Sequence, residues 1–297
     1  MRKKLTEKEI DFILENYTQK GAKYCSDELS IKKSTVISFA FRNKLKVNKD
    51  IIENSRFKNK NIITVSDYID VKNPKIAYIL GVIWTDGHVA FSNNKNKTKV
   101  VKHSCVEYDS FIFTNLFKEL NWRHFNSENK KSIGKNTMST HWISSDDLGS
   151  YLISNNYREK ENGTSIYNRF NNLKSHFLRG LFDGDGCITI SNSGKNYRQT
   201  AVYFSSSSGQ NWNFLSNILD EINVRYKIRI VVDKLGKSSQ LCIHDSESIY
   251  NLCEFMYKDS ENIRLERKHD KYNEFIEYKK KYKRNNTLNK ILDLKTF

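Results

Sequence analysis

An internal repeat constrains this chain more than any other feature. An apolar stretch ending in Asp-Gly occurs at residues 74–87, PKIAYILGVIWTDG, and again at 174–186, KSHFLRGLFDGDG. The aspartates of these steps, Asp86 and Asp185, stand one 99-residue repeat apart. Hydrophobic periodicity predicts a helix for each stretch, followed by two strands, a helix, two strands and a helix. In the first copy the strands fall near 88–92, 99–106, 122–128 and 137–143, with helices near 109–120 and 145–156. In the second they fall near 187–191, 199–206, 225–233 and 240–244, with helices near 210–222 and 246–257. A duplicated unit of this order implies an α+β fold of two αββαββα halves related by approximate two-fold symmetry.

The repeated helix itself carries a second pattern. Small residues recur four apart, Gly81 and Thr85 in one copy, Gly180 and Gly184 in the other, and residues four apart share a helix face. Gly inside a helix costs about 0.5–1 kcal/mol against Ala, so these positions need a reason. Close packing of the two helices on each other supplies one. Leu80, Val82 and Ile83, or Leu178, Leu181 and Phe182, are then left to anchor each half's own core. The packing brings the helix C-termini together, with Asp86 and Asp185 as the last helical residues. Gly87 and Gly186 follow, suited to a left-handed terminal turn. A carboxylate at the negative end of a helix is unfavourable alone. A divalent cation reverses that sign: the carboxylates, with terminal carbonyls at Thr85 and Gly184, are hard oxygen ligands suited to Mg²⁺. One Asp-Gly after a helix reads as a turn, but two copies with the same spacing and sequel read as a site.

The remaining chain divides readily. Residues 1–47 predict three short helices: one behind a capping box at Thr6–Glu9, one through Ala22, Cys25 and Leu29, and one from Ser34 after a break at Ser30-Ile31. Ile10, Ile13 and Leu14, then Val36, Ile37, Ala40 and Phe41, are expected inward. Lys33, Arg42 and Lys44 are expected outward, a helix-turn-helix-like pattern whose last helix suits a major groove. Many such three-helix patterns only pack on a neighbour. Residues 48–73 read as a polar, basic linker, 74–173 as the first half, and 174–297 as the second half with a basic C-terminal helix.

Composition bounds the partners. The formal net charge is +16, from 50 Lys and Arg against 34 Asp and Glu, which suits a polyanion such as nucleic acid. Abundant Lys, Asn, Ile and Tyr with a single proline also fit the bias of an AT-rich genome, so charge alone does not decide. The five cysteines form no C-x-x-C pair, and the seven histidines show no zinc spacing, so a histidine-metal nuclease is not expected. Free, scattered cysteines suggest a reducing compartment. The N-terminal MRKKLTEKEIDF lacks the apolar core of a secretory signal, and no run of about 18 apolar residues suggests a membrane span. An intracellular protein without a membrane partner is expected, in a prokaryotic or phage-infected cytoplasm or an organelle.

The segments Ile79–Gly87 and Leu178–Gly186 resemble the paired signature of LAGLIDADG homing endonucleases, over about residues 74–285. The resemblance implies curved antiparallel sheets that form a saddle on DNA, signature helices at the half–half interface, and metal bound by the final acidic residue of each, here Asp86 and Asp185. It implies a monomer that hydrolyses both strands of a specific double-stranded DNA site with Mg²⁺ or another divalent cation such as Mn²⁺. Trp84 departs from the pattern, standing where the second copy has Asp183. The family's lysine near the active site falls at Lys160 and Lys268, within YREK and LERK, where an ammonium would stabilise developing charge. A binding protein on the same scaffold, an intron maturase that engages intron RNA or a DNA-binding regulator, is the alternative; retention of both aspartates favours the enzyme.

Specificity would come from sheet faces. Tyr226, Ile228, Ile230 and Val232 alternate with Arg225, Lys227 and Arg229, so one face is expected to pack on helices and the other to meet a DNA groove. Arg reads guanine, and Gln199 and Gln240 suit adenine. Lys130, Lys131, Lys135, Lys195 and Lys237 in expected hairpin loops, and the run Lys279–Arg284, are candidate phosphate contacts, or an ordinary solvated surface.

Overall fold

A computed structural model describes residues 5–47, 65–91, 98–128, 137–157, 166–192, 198–233 and 236–282. The chain divides into two compact units, Met1–Ile62 and Ile63–Phe297.

In the first unit, α1 (Glu7–Glu28) opens on the expected capping box: the Glu9 amide donates to Thr6 Oγ1, and the Thr6 amide donates to the Glu9 carboxylate at 2.7 Å. Gly21 breaks it with φ 78° and ψ 174°, so α1 is two helices in sequence. With α2 (Lys33–Arg42), the described part of this unit contains the three expected helices. Ile13, Cys25 and Val36 form its small core, with Ala40 also buried. Leu14, Ile37 and Phe41, expected inward, are exposed, Phe41 by 84%. Two short helices can cover only one stripe of α2, that of Val36 and Ala40, and Ile37 and Phe41 form the neighbouring stripe.

The second unit begins with α3 (Val65–Ile69), inside the stretch expected to be linker. Tyr68 is buried there in the hydrophobic core, and its hydroxyl accepts from Trp122 Nε1 at 2.8 Å. The two halves then follow in the expected order. The first has α4 (Pro74–Asp86), β1 (Gly87–Phe91), β2 (Lys99–Val106), α5 (Ser110–Glu119), β3 (Arg123–Glu128), β4 (Thr137–Ser144) and α6 (Asp146–Ser154). The second has α7 (Lys174–Asp185), β5 (Gly186–Asn192), β6 (Arg198–Ser207), α8 (Asn213–Glu221), β7 (Lys227–Asp233), β8 (Gly236–Ile243) and α9 (Ser246–Tyr257), and the chain continues into α10 (Glu266–Tyr282). Each half forms one antiparallel four-stranded sheet, ordered β1-β2-β4-β3 and β5-β6-β8-β7. The two sheets thus share one topology, as a duplication requires.

The signature helices pack on each other and are buried along most of their length. A methyl group at Gly81 would fall on the backbone of Phe177 and Leu181; one at Gly180 would fall on Tyr78 O and the Val82 amide. Backbone meets backbone here, which only Gly permits. Leu80, Val82, Ile83, Leu178, Leu181 and Phe182 are buried as expected. Gly87 and Gly186 differ from expectation: their φ values are −94° and −83°, extended and not left-handed. The chain enters a strand at once, and glycine is needed there because a side chain would meet the Tyr157 hydroxyl and Ile83 O, or the Phe182 ring.

The second sheet shows one further difference. Ile228 lies in register with Leu241, and Leu241 with Phe204, so the apolar residues of β7 do occupy the helix-side face. Yet β7 is the outer strand, beyond the helix layer, and Ile228, Ile230 and Val232 remain 49%, 55% and 68% exposed. Gly81→Ala or Gly180→Ala is expected to cost about 1–3 kcal/mol, the usual penalty of overpacking; a lowered urea midpoint without a changed slope would show it.

Candidate active site

Both aspartates are terminal helical residues, both are exposed, and the flanking Thr85 and Gly184 are partly exposed. Thr85 Oγ1 donates to Val82 O at 2.9 Å, so its hydroxyl is turned back along α4. A methyl group at Gly184 would collide with Thr85 and lie 3.1 Å from Asp86 Oδ2. The Asp86 carboxylate therefore rests against the last turn of the opposite helix, the turn that ends at Asp185. Two carboxylates at two negative helix ends concentrate charge at one place on the surface.

Beneath that surface the two helix ends are held differently. At the α7 end, Lys268 is buried, and its ammonium donates to the carbonyls of Phe182 and Asp183 at 2.7 Å and of Gly186 at 2.6 Å. Burial lowers its pKa to about 8. Lys268 was expected on the phosphate side; in this structure its three donors are spent on the α7 terminus, where they satisfy orphan carbonyls. Lys160 lies outside the described residues. At the α4 end a neutral group does the same work, the Tyr157 hydroxyl donating to Ile83 O.

The substitution at Trp84 belongs to the same difference. Asp183 is buried and accepts at Oδ2 from Tyr78 of α4 at 2.8 Å and from the Leu265 amide at 2.9 Å. Burial raises its pKa to about 6, against the opposing pull of Lys268, the Leu265 amide, Tyr78 and Arg179. Arg179 is fully buried; Nε and Nη1 donate to Ile263 O and Met256 O, both at 2.6 Å, and Nη2 lies 2.7 Å from His176 Nδ1. At the matching place in the first half, Trp84 fills the space with its ring, edge-on to Tyr157 and to Phe214 of the other half. An Asp–Lys pair in one half is thus replaced by a Trp–Tyr pair in the other, and the exposed aspartate is kept in both.

Around this centre the sheets turn one face away from the helices. Gln199, Lys227, Arg229 and Gln240 share that face of the second sheet, as register requires. Arg229 donates to Gln240 Oε1 from Nε at 3.2 Å and Nη2 at 3.0 Å, and Gln240 Nε2 donates to Ser205 Oγ at 3.2 Å, a chain across three strands. Arg225 is not part of it. It precedes β7 and pairs with Asp245 at 2.7 Å and Glu247 at 3.3 Å, because two carboxylates open α9 beside it. In the first sheet, His88, Lys102, Trp142 and Arg123 form one row across all four strands of the corresponding face. Weak alternation concealed these residues in the sequence; only the register aligns them. Lys237 is exposed at the β7–β8 turn, and Lys279–Lys281 lie in the last turn of α10. Lys130, Lys131, Lys135, Lys195 and residues 283–284 fall outside the described residues. In the first unit, Lys33 and Arg42 are exposed on α2, as expected, and Arg42 Nε donates to Ser38 O. No described helix is long and apolar enough to cross a membrane.

Tyr78→Phe removes one donor from a buried carboxylate and is expected to cost about 1–3 kcal/mol. Lys268→Met, which strips three carbonyls of their donor, is expected to cost more than Tyr78→Phe; chemical denaturation of both variants ranks them.

No curated protein matches the sequence. Among solved structures, the I-LtrWI LAGLIDADG homing endonuclease bound to target DNA is 14% identical with a TM-score of 0.47, covering 75% of this chain and 96% of that one. I-SmaMI bound to an uncleaved DNA target with calcium ions is 11% identical with a TM-score of 0.39, covering 72% and 99%. I-DmoI in complex with DNA and Mn is 19% identical with a TM-score of 0.40, covering 62% and 96%. Residues 172–256, from the start of α7 into α9, match the LAGLIDADG-like domain family. The second half of this chain therefore carries a LAGLIDADG-like domain, and the first half repeats its element order and sheet topology.

Proposed function

We propose that this protein is a site-specific homing endonuclease that hydrolyses a phosphodiester bond on each strand of a double-stranded DNA target, with divalent metal held by Asp86 and Asp185. The observation that carries this reading is the pair of exposed carboxylates at the ends of two helices in backbone contact. The donor set fits Mg²⁺ or Mn²⁺: the side chains of Asp86 and Asp185 and the main-chain oxygens of Thr85 and Gly184 are hard oxygen donors. Bound there, the metal supplies an activated water and charge stabilisation at the leaving oxygen.

The chain's own groups have separable tasks. Gly81 and Gly180 fix the spacing of the carboxylates. Lys268 and Tyr157 fasten the helix ends, so that the aspartates do not move when charge gathers beside them. Lys227, Arg229, Gln240 and Gln199 in one half, and Lys102 and Arg123 in the other, meet the DNA grooves and backbone. The net charge of +16 favours the same partner. Both aspartates come from one chain, so a monomer holds a complete pair. In the first unit, α2 offers Lys33 and Arg42 for an additional DNA contact.

The decisive experiment is cleavage of the host locus lacking the inserted gene. With Mg²⁺, the purified chain should cut both strands, and Asp86→Asn or Asp185→Asn should each slow both cuts by about 10²-fold or more while leaving binding intact. A chain that cuts no such target, with both variants indistinguishable from it, removes the proposal. Arg229→Ala should weaken target binding by about 1–3 kcal/mol and relax specificity at one base position, as measured by competition binding at fixed salt.

A further inference from the structure

The core of the first half holds a set of metal-ligating side chains remote in chemistry from the aspartate pair. His103 and Cys105, two apart on β2, share the helix-side face, and His141 of β4 is in register with His103. All three are buried, and one ligand atom from each lies within 4.8 Å of the others. His103 Nδ1 and His141 Nδ1 are 3.3 Å apart. That is long for an N–H···N bond, but two nitrogens on one tetrahedral Zn²⁺, with Zn–N bonds of about 2.0–2.1 Å, stand about 3.3 Å from each other.

One further observation points to a ligand. Ser139 Oγ is a buried polar atom with no hydrogen-bond partner among the described residues. Ser139 lies directly across from Cys105 on the same face. The rings are held in place by protein: Phe117 stacks on His141 at 4.8 Å and on His103 at 5.1 Å, and Thr114 Oγ1 lies 3.0 Å from His141 Nε2. An oriented outer shell of this kind is what metal-binding imidazoles carry.

We propose that His103, Cys105 and His141 bind one Zn²⁺ that staples β2 to β4. Two imidazoles and a thiol select a borderline, nitrogen- and sulfur-loving cation over Mg²⁺. On binding, the Cys105 S–H proton passes to solvent and an S–Zn bond forms without redox change. Ser139 Oγ or a water completes four-coordination. The site is structural, and its nitrogen and sulfur ligands set it apart from the oxygen ligands of the aspartate pair.

Cobalt tests this directly. The full chain, stripped with a chelator, is titrated with Co²⁺ and then Zn²⁺. The expected result is one tetrahedrally bound Co²⁺ per chain, with intense visible bands of tetrahedral cobalt and a thiolate-to-cobalt charge-transfer band, both removed by Zn²⁺ and untouched by excess Mg²⁺. Cys105→Ser should abolish the charge-transfer band, and His141→Gln should weaken Zn²⁺ binding by about 10–100-fold or more. His124→Ala, the next ring in the row, and Cys187→Ser, the exposed thiol, should leave the spectra unchanged. Absence of tetrahedral cobalt bands in the unmodified chain overturns the proposal, whether or not any variant folds. So does a charge-transfer band that persists in Cys105→Ser or disappears in Cys187→Ser.

Discussion

Backbone contact between α4 and α7 at Gly81 and Gly180 sets the geometry of the second unit. Each helix presents a face without side-chain bulk to its partner and keeps Leu80, Val82 and Ile83, or Leu178, Leu181 and Phe182, for its own half. The halves are therefore fastened at their centres. Because the strands β1 and β5 leave directly from the helix ends, the same contact fixes where each sheet starts. It also brings Asp86 against the last turn of α7. Fold and candidate site thus depend on one short length of helix–helix packing.

Such packing raises an electrostatic problem, since two negative helix termini and two carboxylates crowd together. The halves relieve it differently. In the second, Lys268 is drawn under the helix end, and a buried Asp183 keeps the ammonium company while accepting from Tyr78 across the interface. In the first, Tyr157 and Trp84 provide a hydroxyl and an apolar wall. A duplicated fold need not preserve the same underpinning on both sides, provided the exposed aspartates remain alike. The apparent irregularity of the first signature is a change of support and leaves the surface pair in place.

The sheets show how far register extends what alternation can tell. Periodicity placed Lys227 and Arg229 on one face, and the strand pairings put Gln199 and Gln240 there beside them. It also placed Ile228, Ile230 and Val232 under helices, whereas an outer strand has no helix above it. Alternation identifies a face; strand order decides whether that face is covered. Arg225 illustrates the same limit, for Asp245 and Glu247, 20 and 22 residues further along the chain, claim its guanidinium.

Local patterns by themselves determined the repeat, the order and approximate bounds of its elements, the helix–helix contact and the terminal aspartates, because each of these is written in short-range spacing. Tertiary structure decided the rest, because it depends on residues far apart in sequence arriving at one place. Lys268 became a helix cap only when α10 met the end of α7. The extended conformation of Gly87 and Gly186 followed from strands that begin without a turn. His103, Cys105 and His141, scattered in the chain, became neighbours only through the pairing of β2 with β4. Spacing along the chain reports which residues share one element's face, whereas the contacts between elements are set by how those faces pack.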